Sequence, residues 1–248
     1  MSAQKAKLSL IIPMYNEGDV AEEVVDELQD QFNRAQINYE LVLVDNGSTD
    51  HTGEILLKMA EKDSRIKVIR IHRNQGYGWG IINGLRWASG EYLGFMGGDG
   101  QIEAGDVVRV YREMIKGQHP LCKARRFKRK DGFLRNIISL IFNKLFVYTF
   151  KVNVGDINAT PKIMTRSLYN RLNLSSKDWF LDAEVLLKSN SLGVAVAEIP
   201  VVFHSRQGGS SNVKMGTVWE FLRNMAAYRL RGSRHEGSDI VWREGDPA

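Results

Sequence analysis

A chain of 248 residues accommodates one large domain, and no repeat or low-complexity segment marks it as fibrous or modular. Its net charge of +5 favours an anionic partner, but the basic residues do not interleave with aromatics as in a nucleic-acid module, which excludes that class. Cys122 is the only cysteine, so a disulfide framework is excluded and a reducing compartment fits; no signal peptide is visible before the first strand.

Leu8 to Ile12 is a short apolar run closed by Pro13 and reads as a buried strand. Asp19 to Arg34 places Val20, Val24, Leu28 and Phe32 four apart, the spacing of a helix with one buried face. Leu41 to Val44 is a second strand, ended by the turn Asp45-Asn46-Gly47-Ser48, and Thr52 to Lys62 a second helix. Ile66 to Ile71 reads as a third strand, Gly80 to Ala88 as a third helix and Tyr92 to Met96 as a fourth strand, closed by Gly97-Gly98-Asp99-Gly100. Beyond Gln118 come the basic run Lys123 to Lys130 and the apolar run Ile137 to Phe150. A helix from Trp179 to Leu192, a strand from Val194 to Val202 and a final helix from Val213 to Leu230 follow.

Apolar strands alternating with helices imply an α/β fold, a mostly parallel central sheet with helices on both faces. Ligands of such sheets bind beyond the carboxyl ends of the strands. The unusual residues fall there: Pro13-Met14-Tyr15-Asn16-Glu17, Asp45 to Asp50, and Gly97 to Gln101.

Each constellation has a chemistry. Tyr15 and Glu17 suit a base or ribose. Asp45 suits the imide N–H of uracil or the N–H groups of guanine, and Asp50 can cap the next helix. The glycines of Arg73-Asn74-Gln75-Gly76-Tyr77-Gly78-Trp79-Gly80 let backbone N–H groups approach a diphosphate; their spacing is not a dinucleotide fingerprint. Asp99 and Gln101 offer hard oxygens for Mg²⁺ or Mn²⁺. Arg206 in the loop Arg206-Gln207-Gly208-Gly209-Ser210-Ser211 suits a phosphate clamp. Taken singly, each is equally readable as a polar turn.

Their order and spacing together resemble the family-2 glycosyltransferases, which have a Rossmann-like GT-A fold. The nearest branch is that of the dolichyl- and polyprenyl-phosphate sugar transferases. The resemblance runs from about Leu8 to Ser211. It includes Ala124-Arg125-Arg126-Phe127, Arg135, Ser139, Asn143, Asp156, Glu184 and Glu198-Ile199-Pro200. It implies a single domain, with a nucleotide-sugar half over about 8–117 and an acceptor half over about 118–231. Pro13, Tyr15, Asn16, Glu17, Asp45, Gly47, Ser48, Asn74, Gly76, Gly98 and Asp99 would bind a UDP- or GDP-linked sugar. Arg126, Arg206 and Ser211 would bind the acceptor phosphate. Asp99 and Gln101 would hold a divalent metal, and Asp99, Arg206, Asp182 and Glu184 would serve catalysis.

Two positions depart from the pattern. Gly97 stands where the first acid of the family's Asp-x-Asp metal motif belongs, and Thr160-Pro161-Lys162 replaces a glycine-phenylalanine-arginine element. The implied reaction is inverting transfer to a polyprenyl phosphate, which needs no general base. A sugar hydroxyl would need Asp182 or Glu184 to take its proton. A binding protein without activity is the third reading, motivated by Gly97. Ile137 to Phe150 is too short to span a bilayer and reads equally as a core helix or a surface helix; as the latter, with Lys123 to Lys130, Arg229, Arg231 and Arg234, it would suit an anionic interface, placing the protein peripherally on the cytoplasmic face of a membrane.

Overall fold

The computed structural model describes residues 6–129, 143–204 and 223–229. Arg135, Ser139, Arg206, Ser211, Arg231, Arg234 and the first part of the apolar run lie outside the described residues. The chain divides into two compact units, residues 1–212 and 213–248.

The first unit is built on one seven-stranded sheet. Its strands are β1 (Leu8–Met14), β2 (Tyr39–Asp45), β3 (Ile66–Arg70), β4 (Tyr92–Phe95), β5 (Leu121–Arg129), β6 (Lys162–Thr165) and β7 (Val196–Phe203). They lie in the order β3-β2-β1-β4-β6-β5-β7. All neighbours run parallel except β6, which is antiparallel to both β4 and β5. The carboxyl ends of the other six strands therefore share one edge, and β6 begins there. The α/β sheet expected from the sequence is the one observed.

Every residue of β1 and β2 is buried, as the unbroken apolar runs require of strands covered on both faces. Leu10, Ile11, Ile12, Leu41, Val42 and Leu43 are fully enclosed, each contributing about 1.5–3 kcal/mol by leaving water. Helix α1 (Ala21–Arg34) buries Val24, Val25, Leu28 and Phe32, the stripe its spacing predicts. Helices α2 (Thr52–Lys62) and α3 (Tyr77–Trp87) return the chain to the next strand. Helix α5 is described over 143–150, and a helix in the second unit over 223–229.

Four elements go beyond the sequence reading. Helix α4 (Ala104–Lys116) buries Val107, Val108, Val110, Tyr111 and Met114. Strand β5 runs through the basic segment, and its first residues are interior: Leu121, Cys122, Lys123 and Ala124 are all fully buried. Strand β6 and the short α6 (Arg166–Leu172) follow; Thr165 caps α6 by accepting the Leu168 N–H at 3.2 Å. Helix α7 (Leu181–Ser191) is enclosed on nearly every side and carries Asp182 and Glu184 in its first turn, where the positive end of the helix dipole favours carboxylates.

Candidate active site

The loops after β1 and β2 are stitched to each other. Ser48 Oγ accepts the Asn16 N–H at 3.1 Å, and Asn16 Oδ1 accepts the Thr49 N–H at 2.8 Å. Thr52 Oγ1 accepts the Glu17 N–H at 3.0 Å, and Asp50 accepts N–H groups from Gly18 at 3.2 Å and Thr52 at 3.0 Å. Burial raises the pKa of Asp50, but the bonds from Thr52 and Gly18 more than offset it and hold the carboxyl below its usual range. Asn16 takes a left-handed backbone (φ 55°), the conformation its short polar side chain tolerates. Pro13, Tyr15, Asn16, Glu17 and Ser48 are thus brought together at one strand edge. Gly47 (φ 80°) abuts the next loop: a Cβ there would lie 2.5 Å from the Asn74 nitrogen.

Asp45 is fully buried at the end of β2, but its carboxylate is committed. Oδ1 accepts the Ser48 N–H at 2.9 Å, and Oδ2 lies 3.3 Å from Arg70 Nε. Its neighbour Asn46, which the sequence reading assigned no role, differs. Asn46 is 4 % exposed, its N–H donates to Met14 O at 2.8 Å and its Nδ2 to Gly76 O at 3.1 Å. Its Oδ1 is buried with no hydrogen-bond partner among the described residues. Buried polar atoms are almost always satisfied, so this acceptor is available to water, a ligand or a residue outside the described ones.

The start of α3 is locked onto residues 176–178. A Cβ on Gly76 would fall 2.4 Å from Lys177 O, and the Trp79 N–H donates to that same carbonyl at 2.9 Å. Tyr77 stacks on Trp179 with ring centroids 4.4 Å apart and planes 11° from parallel. Burial, then the charges of Asp182 and Asp99, raises the Tyr77 pKa, so this phenol lies within the field of both carboxylates. Asn74 is exposed, its Oδ1 accepting the Gly76 N–H at 2.8 Å.

Asp99 follows β4 and is half-buried, its Oδ1 accepting the Gln101 N–H at 3.3 Å. Gln101 Nε2 donates to His204 O at 2.9 Å, and the His204 N–H to Gln101 O at 3.0 Å, which ties the end of β7 to the Asp99 loop. Gly98 packs so closely that a Cβ would sit 2.7 Å from Met14 Cγ; at Gly97 it would meet only Asp99, at 3.6 and 3.9 Å. Among the described residues no group of three or more His, Cys, Asp or Glu is placed to hold a metal. Asp99 and Gln101 are oxygen-bearing side chains on one turn. They fit a hard divalent ion whose remaining ligands come from a diphosphate and water.

Toward the β7 end of the same carboxyl edge a row of facing residues crosses four strands: Phe95 on β4, Lys162 on β6, Lys123 on β5 and Glu198 on β7. Both lysines are fully buried. Lys162 Nζ bonds Asp182 Oδ1 and Ala159 O, the latter at 3.1 Å. Lys123 Nζ bonds Glu198 Oε1 at 3.1 Å, Ala124 O at 2.6 Å and Asp156 O. Burial lowers the pKa of both lysines, that of Lys162 to about 8, and raises that of Asp182. Arg126, expected at the acceptor phosphate, grips Asp156 through Nε and Nη2, both at 2.6 Å. Against the burial that would raise it, this fork holds the Asp156 carboxyl far below the usual range.

Glu184 is saturated: it accepts from Ser175 N–H at 3.1 Å, Ser175 Oγ at 3.0 Å, Ser176 N–H at 2.8 Å and Lys188 Nζ at 2.7 Å. That geometry has Glu184 fixing the 175–176 loop.

Residues 9–173 match the family described as Glycosyl transferase family 2. The chain is 28% identical over 233 residues to a dolichyl-phosphate beta-glucosyltransferase of Dictyostelium discoideum, covering 84% of this chain and 71% of that one. It is 30% identical over 250 residues to a dodecaprenyl-phosphate galacturonate synthase of Rhizobium johnstonii, covering 95% and 72%. The fold is that of glucosyl-3-phosphoglycerate synthase of Mycobacterium tuberculosis, solved with Mn²⁺, UDP and glucosyl-3-phosphoglycerate. There the TM-score is 0.70 at 20% identity, over 91% of this chain and 79% of that chain. A GT-A sheet with its polar residues gathered at the carboxyl edge, and a family match over most of its length, make this chain a glycosyltransferase that belongs to glycosyl transferase family 2.

Proposed function

We propose that the protein transfers a sugar, with inversion, from a nucleotide-sugar to a polyprenyl phosphate at a membrane surface. The observation that carries this reading is the state of the two acceptor-side carboxylates. Glu184 is occupied by the 175–176 loop and Lys188, and Asp182 is held by buried Lys162 with its remaining lone pairs assigned in this reading to the donor sugar, so neither is placed as the base for an acceptor hydroxyl. A hydroxyl acceptor needs such a base; a phosphate is already anionic at neutral pH. The names of the two relatives, a dolichyl-phosphate and a dodecaprenyl-phosphate enzyme, support the same acceptor class.

In this reading Asn46 Oδ1 accepts an N–H of the nucleobase, while Asp45 shapes the turn that places it. Pro13, Tyr15, Asn16, Glu17, Gly47 and Ser48 line the nucleoside, and Asn74, Gly76 and Gly98 the diphosphate. Asp99 and Gln101 would hold a divalent ion. That ion would neutralise charge growing on the leaving diphosphate. Asp182 offers a carboxylate oxygen to the hydroxyls of the transferred sugar, beside the Tyr77–Trp179 stack. Arg126, Arg206 and Ser211 supply the acceptor side.

Among the described residues no helix is long and apolar enough to cross a membrane. Phe127 and Tyr148 are exposed by 69% and 85%, and Leu145 is exposed on α5 beside Lys144. Apolar side chains among cationic ones suit the interface of an anionic leaflet, here the cytoplasmic face.

Incubation with radiolabelled UDP- and GDP-sugars and a polyprenyl phosphate tests the reading. Label in the organic phase is expected; label only in water-soluble glycan, or none, would overturn it.

A further inference from the structure

We propose that Lys162 is a positioning residue for transfer, holding Asp182 in place as a carboxylate beside the transferred sugar. This rests on the reading above, in which Asp182 lies on the acceptor side of the donor sugar.

The carboxylates around the sheet edge differ in how they are held. Asp156 is clamped by Arg126, and Glu184 by a serine loop and Lys188. Asp182, only 2 % exposed, has Lys162 as its one hydrogen-bond partner among the described residues. It is held firmly on one side and retains lone pairs for a further donor.

Lys162 is itself fixed from several directions. It opens β6, the one strand that starts where the others end, so its side chain arises at the catalytic edge of the sheet. Its ammonium bonds Ala159 O at 3.1 Å and lies 5.7 Å from the centre of the Phe95 ring. A fully buried lysine is costly unless paired, and its position is reproduced by no flexible surface lysine.

The charged groups facing the pair are few. Lys162 feels Lys123 on β5 and Asp156 from the preceding loop; Asp182 feels Lys123 and Arg126 on β5 and the phenol of Tyr77 on α3. Without Lys162, burial would favour the neutral acid at Asp182. Protonation would then turn an acceptor of sugar hydroxyls into a donor.

The test combines Lys162→Met, Asp182→Asn and the double variant, with kcat and KM for the nucleotide-sugar followed against pH. Lys162→Met is expected to lower kcat about tenfold or more at neutral pH. The acid limb of its profile should move up by about one pH unit or more. Nucleoside-diphosphate affinity should stay within about twofold, and adding Lys162→Met to Asp182→Asn should cost less than about twofold more, since both act through one group. A wild-type profile in Lys162→Met, or losses that multiply in the double variant, would overturn the proposal. Should Lys162→Met fail to fold, the wild-type protein labelled at aspartate carboxyl carbons decides. The resonance lost in Asp182→Asn is expected at its ionised position at neutral pH, and a protonated position would refute the assignment. If no lipid-linked product forms while donor hydrolysis responds to Lys162→Met as described, the acceptor reading fails and the positioning role stands.

Discussion

Lys123 and Lys162 stand opposite one another on antiparallel strands, both without exposed surface, and each meets a different carboxylate, Glu198 and Asp182. Arg126 and Asp156 complete the set, so three buried or nearly buried cations are matched by three carboxylates. Removing any one leaves a charge without its partner where little solvent reaches it.

Asp156→Asn is therefore expected to destabilise the fold by about 3–5 kcal/mol at neutral pH, the usual cost of breaking a buried pair from one side. The folded pKa of Asp156 lies below its unfolded value of about 3.9. Its contribution is thus fully present above that value and is lost as pH falls toward the folded one. Urea denaturation at pH 7 and at pH steps below 5 should show the difference between wild type and variant narrowing in acid. A gap that stays constant would mean that Asp156 is not the paired acid.

Adjacent glycines should respond oppositely. Gly97→Asp introduces a Cβ in ordinary contact with Asp99 alone, so thermal stability should change by less than about 1 kcal/mol. Nucleoside-diphosphate affinity in Mn²⁺ should rise. Gly98→Ala forces a Cβ to 2.7 Å from Met14 Cγ and should cost about 1–3 kcal/mol by overpacking. Calorimetry with and without Mn²⁺ on both variants checks the pair.

Asn46→Ala removes the orphaned acceptor and should weaken nucleoside-diphosphate binding by about tenfold, near 1.4 kcal/mol. Pyrophosphate, which lacks a base, should bind unchanged. Equal weakening of both ligands would place Asn46 at the phosphates instead.

Vesicle sedimentation tests the interfacial reading. Binding to anionic vesicles is expected to fall at high salt, in Phe127→Glu/Tyr148→Glu, and on charge reversal at Arg229 and Arg231, each basic residue contributing about 1 kcal/mol near such a surface. Protein that stays in the supernatant at low salt would favour an acceptor in solution.

The first four strands were legible because their signals are local. Leu8 to Ile12 and Leu41 to Val44 are apolar runs, and the polar residues after them mark the strand ends. Helix α7 and strand β7 were legible too, but β5 and β6 were not. Lys123 and Lys162 are surface residues by composition, and only pairing between strands 39 positions apart reveals them as interior. Helix α4 carried a readable stripe from Val107 to Met114 that the sequence reading left unassigned. Asp45 drew the base-binding role because a carboxylate is the stronger acceptor. Which of two neighbouring strand-end residues keeps an open oxygen depends on where Ser48 and Arg70 come to rest.

Because β6 runs against its neighbours, β5 leaves the sheet and β6 re-enters it on the same rim. The described part of this excursion, residues 143–161, starts from that rim and packs back onto the sheet: Phe146, Ile157 and Ala159 are fully buried, and Asp156 meets Lys123 and Arg126. Lengthening such an excursion costs little in closure entropy, since the cost grows only logarithmically with length. An insertion between two strand ends on one rim is therefore tolerated so long as Phe146, Asp156, Ile157 and Ala159 keep their buried contacts.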